Sequence, residues 1–193
     1  NTFPSLEAQI ASISDDIAYN SHDLEDGLKS NLFKLKDLEG IPVLKKIIHK
    51  HKKNIKNYSV DLIIRQIVRE IINEMVKDII MTTKKNIKKY KLKNLNDVYK
   101  SNYQVVTFSK QMKEFDRKIK SFLKKKMYYH KEVIKNTNRG KTIIRKLFLS
   151  IKKKPEKYIN VSKYDKSDIA RSICDFIAGM TDRYAINLYN KIK

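Results

Sequence analysis

Several residue types are scarce in this 193-residue chain, and each shortage excludes something. A single cysteine, Cys174, rules out an intrachain disulfide framework and a cysteine-based zinc site. It also suits a reducing compartment, so a cytoplasmic setting is expected. Three prolines and four glycines leave few interruptions, which makes room for long helices. Alternation of polar and apolar residues with period two is nearly absent, which argues against sheets. No apolar run approaches the length of a membrane span, so no membrane partner is expected. Arginine is rare among the bases: only seven of the 43 basic residues are arginine.

What remains is a lysine-rich, all-α chain large enough for a proper core. Its formal net charge of +22 attracts polyanions, whether nucleoside triphosphate or nucleic acid. Lys, Ile, Asn and Tyr are abundant together, however, as an AT-biased coding sequence would also produce. Weak, salt-dependent nucleic-acid binding is therefore the charge-based expectation. A dedicated basic binding module would need a recognition element, and no helix-turn-helix signature or aromatic RNP-type block is present.

Read in order, the chain is a series of amphipathic helices. Pro4 suits a first helical turn, and Gly27 marks a break in the opening helix. A turn is expected at Gly40-Ile-Pro42, and His49 and His51, two residues apart, are read as solvated. The strongest helix is expected from Tyr58 to Met81, buried through Ile63, Ile67, Ile71, Val76 and Ile80. Arg65 and Arg69 lie one turn apart on another face, where a ladder with Glu70 and Glu74 is the plain expectation. The lysine-dense 84–93 stretch reads as a connection, and Gln104 to Thr107 as a short extended piece. Periodicity resumes from Phe108 to His130 with Met112, Phe115, Ile119, Phe122 and Leu123 inward. Asn136 to Gly140 reads as a turn before a helix through Ile143, Ile144, Leu147, Phe148 and Ile151. The last helix is expected from Asp165 to Asp168 onward, with Cys174, Ile177 and Ala178 inward.

The opening stretch carries the chemistry. At about 100° per residue, Leu6, Ile10, Ile13, Ile17, Leu24 and Leu28 share one arc of a helix. The opposite arc holds Asp15, Tyr19, His22, Asp23 and Asp26, and no lysine. A solvated polar face is the plain reading. The spacing of four and four through Asp15, Tyr19 and Asp23 would equally let one extended ligand touch all three.

This segment, SLEAQIASISDDIAYNSHDLEDG, resembles the C-terminal half of the signature of the dGTPase-like deoxynucleoside triphosphate triphosphohydrolases, a family of the HD-domain superfamily. The bacterial pattern is close to SLEAQ…D-I-A-Y-x-x-H-D-x-x-D-G. A second stretch, CDFIAGMTDRYA at 174–185, resembles the family's terminal block, with Phe176 where Tyr is usual. The dipeptide His22-Asp23 is not the HD that names the domain, because the family's metal-binding His and His-Asp lie upstream of this stretch. The chain begins with Asn1, so it is expected to be a C-terminal portion: residues 1–40 closing the catalytic core, residues 41–193 a helical region packed on it.

The resemblance implies a metal-dependent hydrolase that splits a dNTP, dGTP foremost, into deoxynucleoside and triphosphate. It implies Asp15 as a ligand of a divalent metal, Mg, Mn or Fe. Tyr19 would pack against the sugar where a 2′-hydroxyl would sit, and Asp23 would accept from the 3′-hydroxyl. Arg65 is a phosphate-contact candidate, and Arg183 is a substrate-contact candidate within a block that could equally be a packed terminal helix. His22 matches the bacterial branch, and its role is unassigned. A homo-oligomer is expected. The alternatives are a nucleic-acid-binding module and an inactive remnant of the hydrolase.

Overall fold

The computed structural model describes residues 2–52, 58–159 and 168–192. Among these the regular structure is entirely helical, as the composition requires. Contacts divide the chain into two compact units, residues 1–130 and 131–193. Residue 40 is therefore not a division in the packing: the opening helix and the segments after it share one core.

In the first unit, α1 (Leu6–Lys29) is capped by the Ser5 hydroxyl, which accepts from the Ala8 amide at 3.4 Å. Ile17, Leu24 and Leu28 are buried, whereas Ile10, near the start of the helix, is 46% exposed and leaves the expected apolar arc. The helix does not break at Gly27. It runs on to Lys29, and the missing β-carbon of Gly27 leaves room for the Phe33 ring. Pro42 opens α2 (Pro42–Lys52), which packs on α3 (Val60–Lys89). The Ser59 side chain caps α3, which continues through Lys84 to Lys89 where a connection was expected. Its buried stripe is Ile63, Ile64, Ile67, Val68, Ile71, Met75 and Ile79, while Val76 and Ile80 are exposed. The stripe follows 3.6 residues per turn past Ile71, and Val76 and Ile80 fall outside it.

A capping box at Asn94 and Asp97 forms the short α4 (Leu95–Tyr99). Residues 104–107 are not a strand. Buried Gln9 takes the place of a ladder partner: its side-chain oxygen accepts from the amides of Val105 and Val106 at 3.2 and 3.1 Å. α5 (Lys110–Leu123) turns Met112, Phe115, Ile119 and Leu123 into the core and packs on α1. A single π turn, Lys124–Tyr128, follows.

The second unit holds α6 (Lys131–Lys153), α7 (Ile169–Ala178) and α8 (Asp182–Ile192). Asn136 to Gly140 is helical, since α6 has begun at Lys131 and Gly140 is tolerated in its interior. Ile143, Leu147, Ile151, Ile159 and Ile173 form its centre, while Ile144 is exposed. Residues 165–167 lie outside the described residues, and the Asp168 carboxylate caps α7 by accepting from the Arg171 amide at 3.0 Å. Cys174 and Ala178 are exposed, and Ser172 and Ile173 are the buried residues of α7. Ile177 packs on this core as expected, but its companions there are Ile173 and Phe176, on the α7 face that meets α6.

Candidate functional site

The polar face of α1 is accessible, with Asp15, Tyr19, His22 and Asp26 exposed and Asp23 half-buried. Its two flanks are occupied differently. Toward α5, the buried Asn20 amide donates to Asp116 at 3.3 Å, and Lys120 bridges Asp116 at 3.0 Å and Asp16 at 3.1 Å. Asp16 thus belongs to the seam that docks α5 on α1. Asp15, rotated by about 100°, faces away from that seam. It has no hydrogen bond or ion pair among the described residues.

The π turn brings in a residue that sequence reasoning missed. The Tyr128 hydroxyl donates a hydrogen bond to the Asp23 carboxylate, with the Tyr19 hydroxyl beside it. Burial pushes the Tyr128 phenol up from its ordinary value, and the Asp23 carboxylate and Tyr19 push it further the same way. The phenol therefore stays a donor throughout the physiological range. Asp23 and Tyr19 are one turn apart on α1, so Tyr128 joins them into a cluster of two phenols and a carboxylate. Nothing in the run Lys124-Lys-Lys-Met-Tyr-Tyr129 signals this, because the contact depends on the path of the π turn.

Arg65 approaches α1 from the other flank, its Nε 4.0 Å from Glu25, which also pairs with Lys29. Glu25 lies two residues beyond Asp23, about 200° around the helix, so Arg65 does not join the Tyr128 cluster. The expected ladder with Glu70 is replaced by a contact between helices. Lys50 and His51 of α2 hold Glu70 at 2.7 and 2.6 Å. His51 is therefore largely covered, contrary to the solvated state expected for it. Arg183 lies in the second unit, exposed on the first turn of α8, whose start the Thr181 hydroxyl caps by accepting from Tyr184 at 3.3 Å. The terminal block thus spans two helices joined at Gly179-Met-Thr181.

Asp15 stands without companion donors for a divalent ion among the described residues. Among the described residues no three His, Cys, Asp or Glu side chains gather into a metal-binding group. A lone carboxylate does not hold such an ion against water. No described helix is long and apolar enough to cross a membrane.

Residues 106–191 match the phosphohydrolase-associated domain family. The chain is 50% identical over 188 residues to a deoxyguanosinetriphosphate triphosphohydrolase-like protein of Pelagibacter ubique, covering 97% of this chain and 50% of the relative. It is 36% identical over 197 residues to the protein of that name from Rickettsia typhi, covering 100% and 51%. A Leptospira interrogans protein of the same name is 36% identical over 194 residues, covering 98% and 51%. The chain belongs to the deoxyguanosinetriphosphate triphosphohydrolase-like family. It spans about half the length of the curated relatives it matches.

Proposed function

We propose that the protein carrying this chain hydrolyses dNTPs, dGTP foremost, to deoxynucleoside and triphosphate, and that α1 supplies its sugar-binding face. The supporting observation is the Tyr19–Asp23–Tyr128 cluster beside an exposed, unpaired Asp15. Tyr128 engages Oδ2 of Asp23. That contact fixes the carboxylate and leaves Oδ1 to accept from a 3′-hydroxyl. The Tyr19 ring, 60% exposed, stands where it can stack on deoxyribose and leave no room for a 2′-hydroxyl. Arg65 and Arg183, both exposed, are the candidate contacts to phosphate and substrate.

Asp15 is the one ligand this chain would give to a divalent metal, Mg, Mn or Fe, whose chemistry is to polarise the phosphate being cleaved. The other donors would have to come from outside the described residues. A cytoplasmic setting and a homo-oligomeric assembly belong to the same reading. Exposed Val76 and Ile80, one turn apart on α3, support a self-associating face.

The test is product analysis with the complete protein. Intact triphosphate and deoxyguanosine from dGTP, with GTP spared, are expected. Release of single phosphates or pyrophosphate would contradict the proposal.

A further inference from the structure

The π turn after α5 breaks an otherwise regular helix, and the packing on either side of it explains its place. Upstream, Leu123 is fully buried, and the Phe122 ring meets Phe33 edge-on with centroids 4.9 Å apart and planes at 85°. Downstream, Met127 packs on the same core. Between them stand Lys124, Lys125 and Lys126, all exposed. The Tyr129 amide donates to the Lys124 carbonyl at 3.1 Å, the five-residue step that defines such a turn.

An unbroken α-helix would order these side chains differently. Met112, Phe115, Ile119 and Leu123 set the buried direction of α5. Continued at about 100° per residue, the helix would put Lys126 about 25° from the middle of that stripe, Met127 about 75° and Tyr128 about 175°. A lysine would then face the core, the thioether would sit at its edge, and the phenol would point away. One extra residue in the turn sets everything after it back by about 100°. Met127 then takes the place nearest the core, and Tyr128 stands about 75° to one side. The exposed Lys126, the packed Met127 and the Tyr128–Asp23 hydrogen bond all follow the set-back order. An unpaired ammonium in an apolar core is costly, so burying the thioether in its stead stabilises a turn that is otherwise rare.

We propose that Met127 is the positioning residue of the Tyr19–Asp23–Tyr128 cluster: its burial holds the π turn, and the turn aims the Tyr128 hydroxyl at Asp23. The part Asp23 plays toward deoxyribose rests on the function proposed above. The aiming of Tyr128 does not.

Exchanging two residues, Lys126→Met with Met127→Lys, keeps the composition and returns the apolar side chain to the α register. The turn should relax to α-helix and swing Tyr128 away from Asp23 by about 100°. Burial and the Asp23 carboxylate hold the Tyr128 phenol above its ordinary value. In an alkaline titration of the full chain, followed at the ring that Tyr128→Phe removes, the exchange should let Tyr128 ionise as a free phenol does. Met127→Leu, of similar volume, should leave it ionising late. Deleting Lys126 removes the extra residue, so a plain α-helix carries Met127 and Tyr128 to the same angles, and Tyr128 should still ionise late. Ile119→Val trims the core earlier on α5 and should lower stability without moving Tyr128. Circular dichroism checks folding, and where the exchange does not fold the deletion decides. A folded exchange variant whose Tyr128 still ionises late would overturn the proposal, as would a folded deletion variant in which it ionises early. In the complete protein the exchange should raise KM for dGTP as Tyr128→Phe does, with kcat nearly unchanged. An early Tyr128 with an unaltered KM would support Met127 as the holder of the turn and count against the sugar-binding role of Asp23.

Discussion

The Tyr128 hydroxyl donates to the Asp23 carboxylate across 105 residues of sequence, joining the π turn to the polar face of α1. The phenol is raised by burial first and by the carboxylate second, so its contribution to stability is complete below its ordinary value of 10.0 and is lost as pH rises through the higher folded value. In an alkaline titration followed at the Tyr128 ring, this tyrosine should ionise after a free phenol would. Asp23→Asn should bring it back toward the ordinary value. An unshifted Tyr128 would mean that the hydrogen bond does not persist in solution. If the proposed dGTP hydrolysis holds, Tyr128→Phe in the complete protein should raise KM for dGTP and leave kcat nearly unchanged, since only the carboxylate's orientation is lost.

Glu70 makes a second testable contact. Burial raises its carboxyl, and hydrogen bonds and positive charge from Lys50 and His51 outweigh that and lower it. A depressed carboxylate contributes stability above its ordinary value of 4.5, and that contribution is lost as pH falls through the lower folded value. Glu70→Gln should flatten the acid limb of the stability profile and cost about 1–3 kcal/mol at neutral pH. Chemical denaturation of both proteins between neutral and acid pH measures this. Parallel profiles would show that the α2–α3 contact is energetically silent.

Two helical glycines should respond oppositely. A β-carbon at Gly27 would overlap the buried Phe33 ring. Gly27→Ala should cost about 1–3 kcal/mol by overpacking, or roughly 2–12 °C in Tm for a chain of this size. At Gly140 in α6 a β-carbon meets nothing within 4 Å. Gly140→Ala should stabilise the second unit by about 0.5–1 kcal/mol through helix propensity. A stable Gly27→Ala protein would show that Phe33 can move aside at little cost.

The all-α class was legible because scarce glycine and proline and the absence of alternation bear on every element at once. Single boundaries were not. Gly27 and Gly140 carry the signal of a break, yet the first accommodates a ring and the second is carried by the helix around it. Val105 and Val106 have strand propensity, but a side chain 96 residues away, Gln9, decides their partner. The α1 face was legible because its spacing lies within one helix. Its exposure is seen in the structure, whereas Tyr128 reaches it through a π turn and an α1–α5 packing that no local pattern encodes. Arg65 was placed by analogy, and the structure sets it on the opposite flank of α1 from Asp23.

The proposed function turns on the register of α1: Asp15 is proposed to serve a metal, while its neighbour Asp16 pairs with Lys120 at the α5 seam. The most direct test compares dGTP turnover and bound metal in Asp15→Ala and Asp16→Ala versions of the complete protein. Asp16 shares Lys120 with Asp116 in an exposed pair, and such pairs contribute about 0–1 kcal/mol. Asp16→Ala should therefore keep its fold, metal and near-normal turnover. Asp15→Ala should stay folded and lose both metal and nearly all turnover. An active Asp15→Ala protein beside a dead, folded Asp16→Ala protein would contradict the assignment and shift the whole face by one residue.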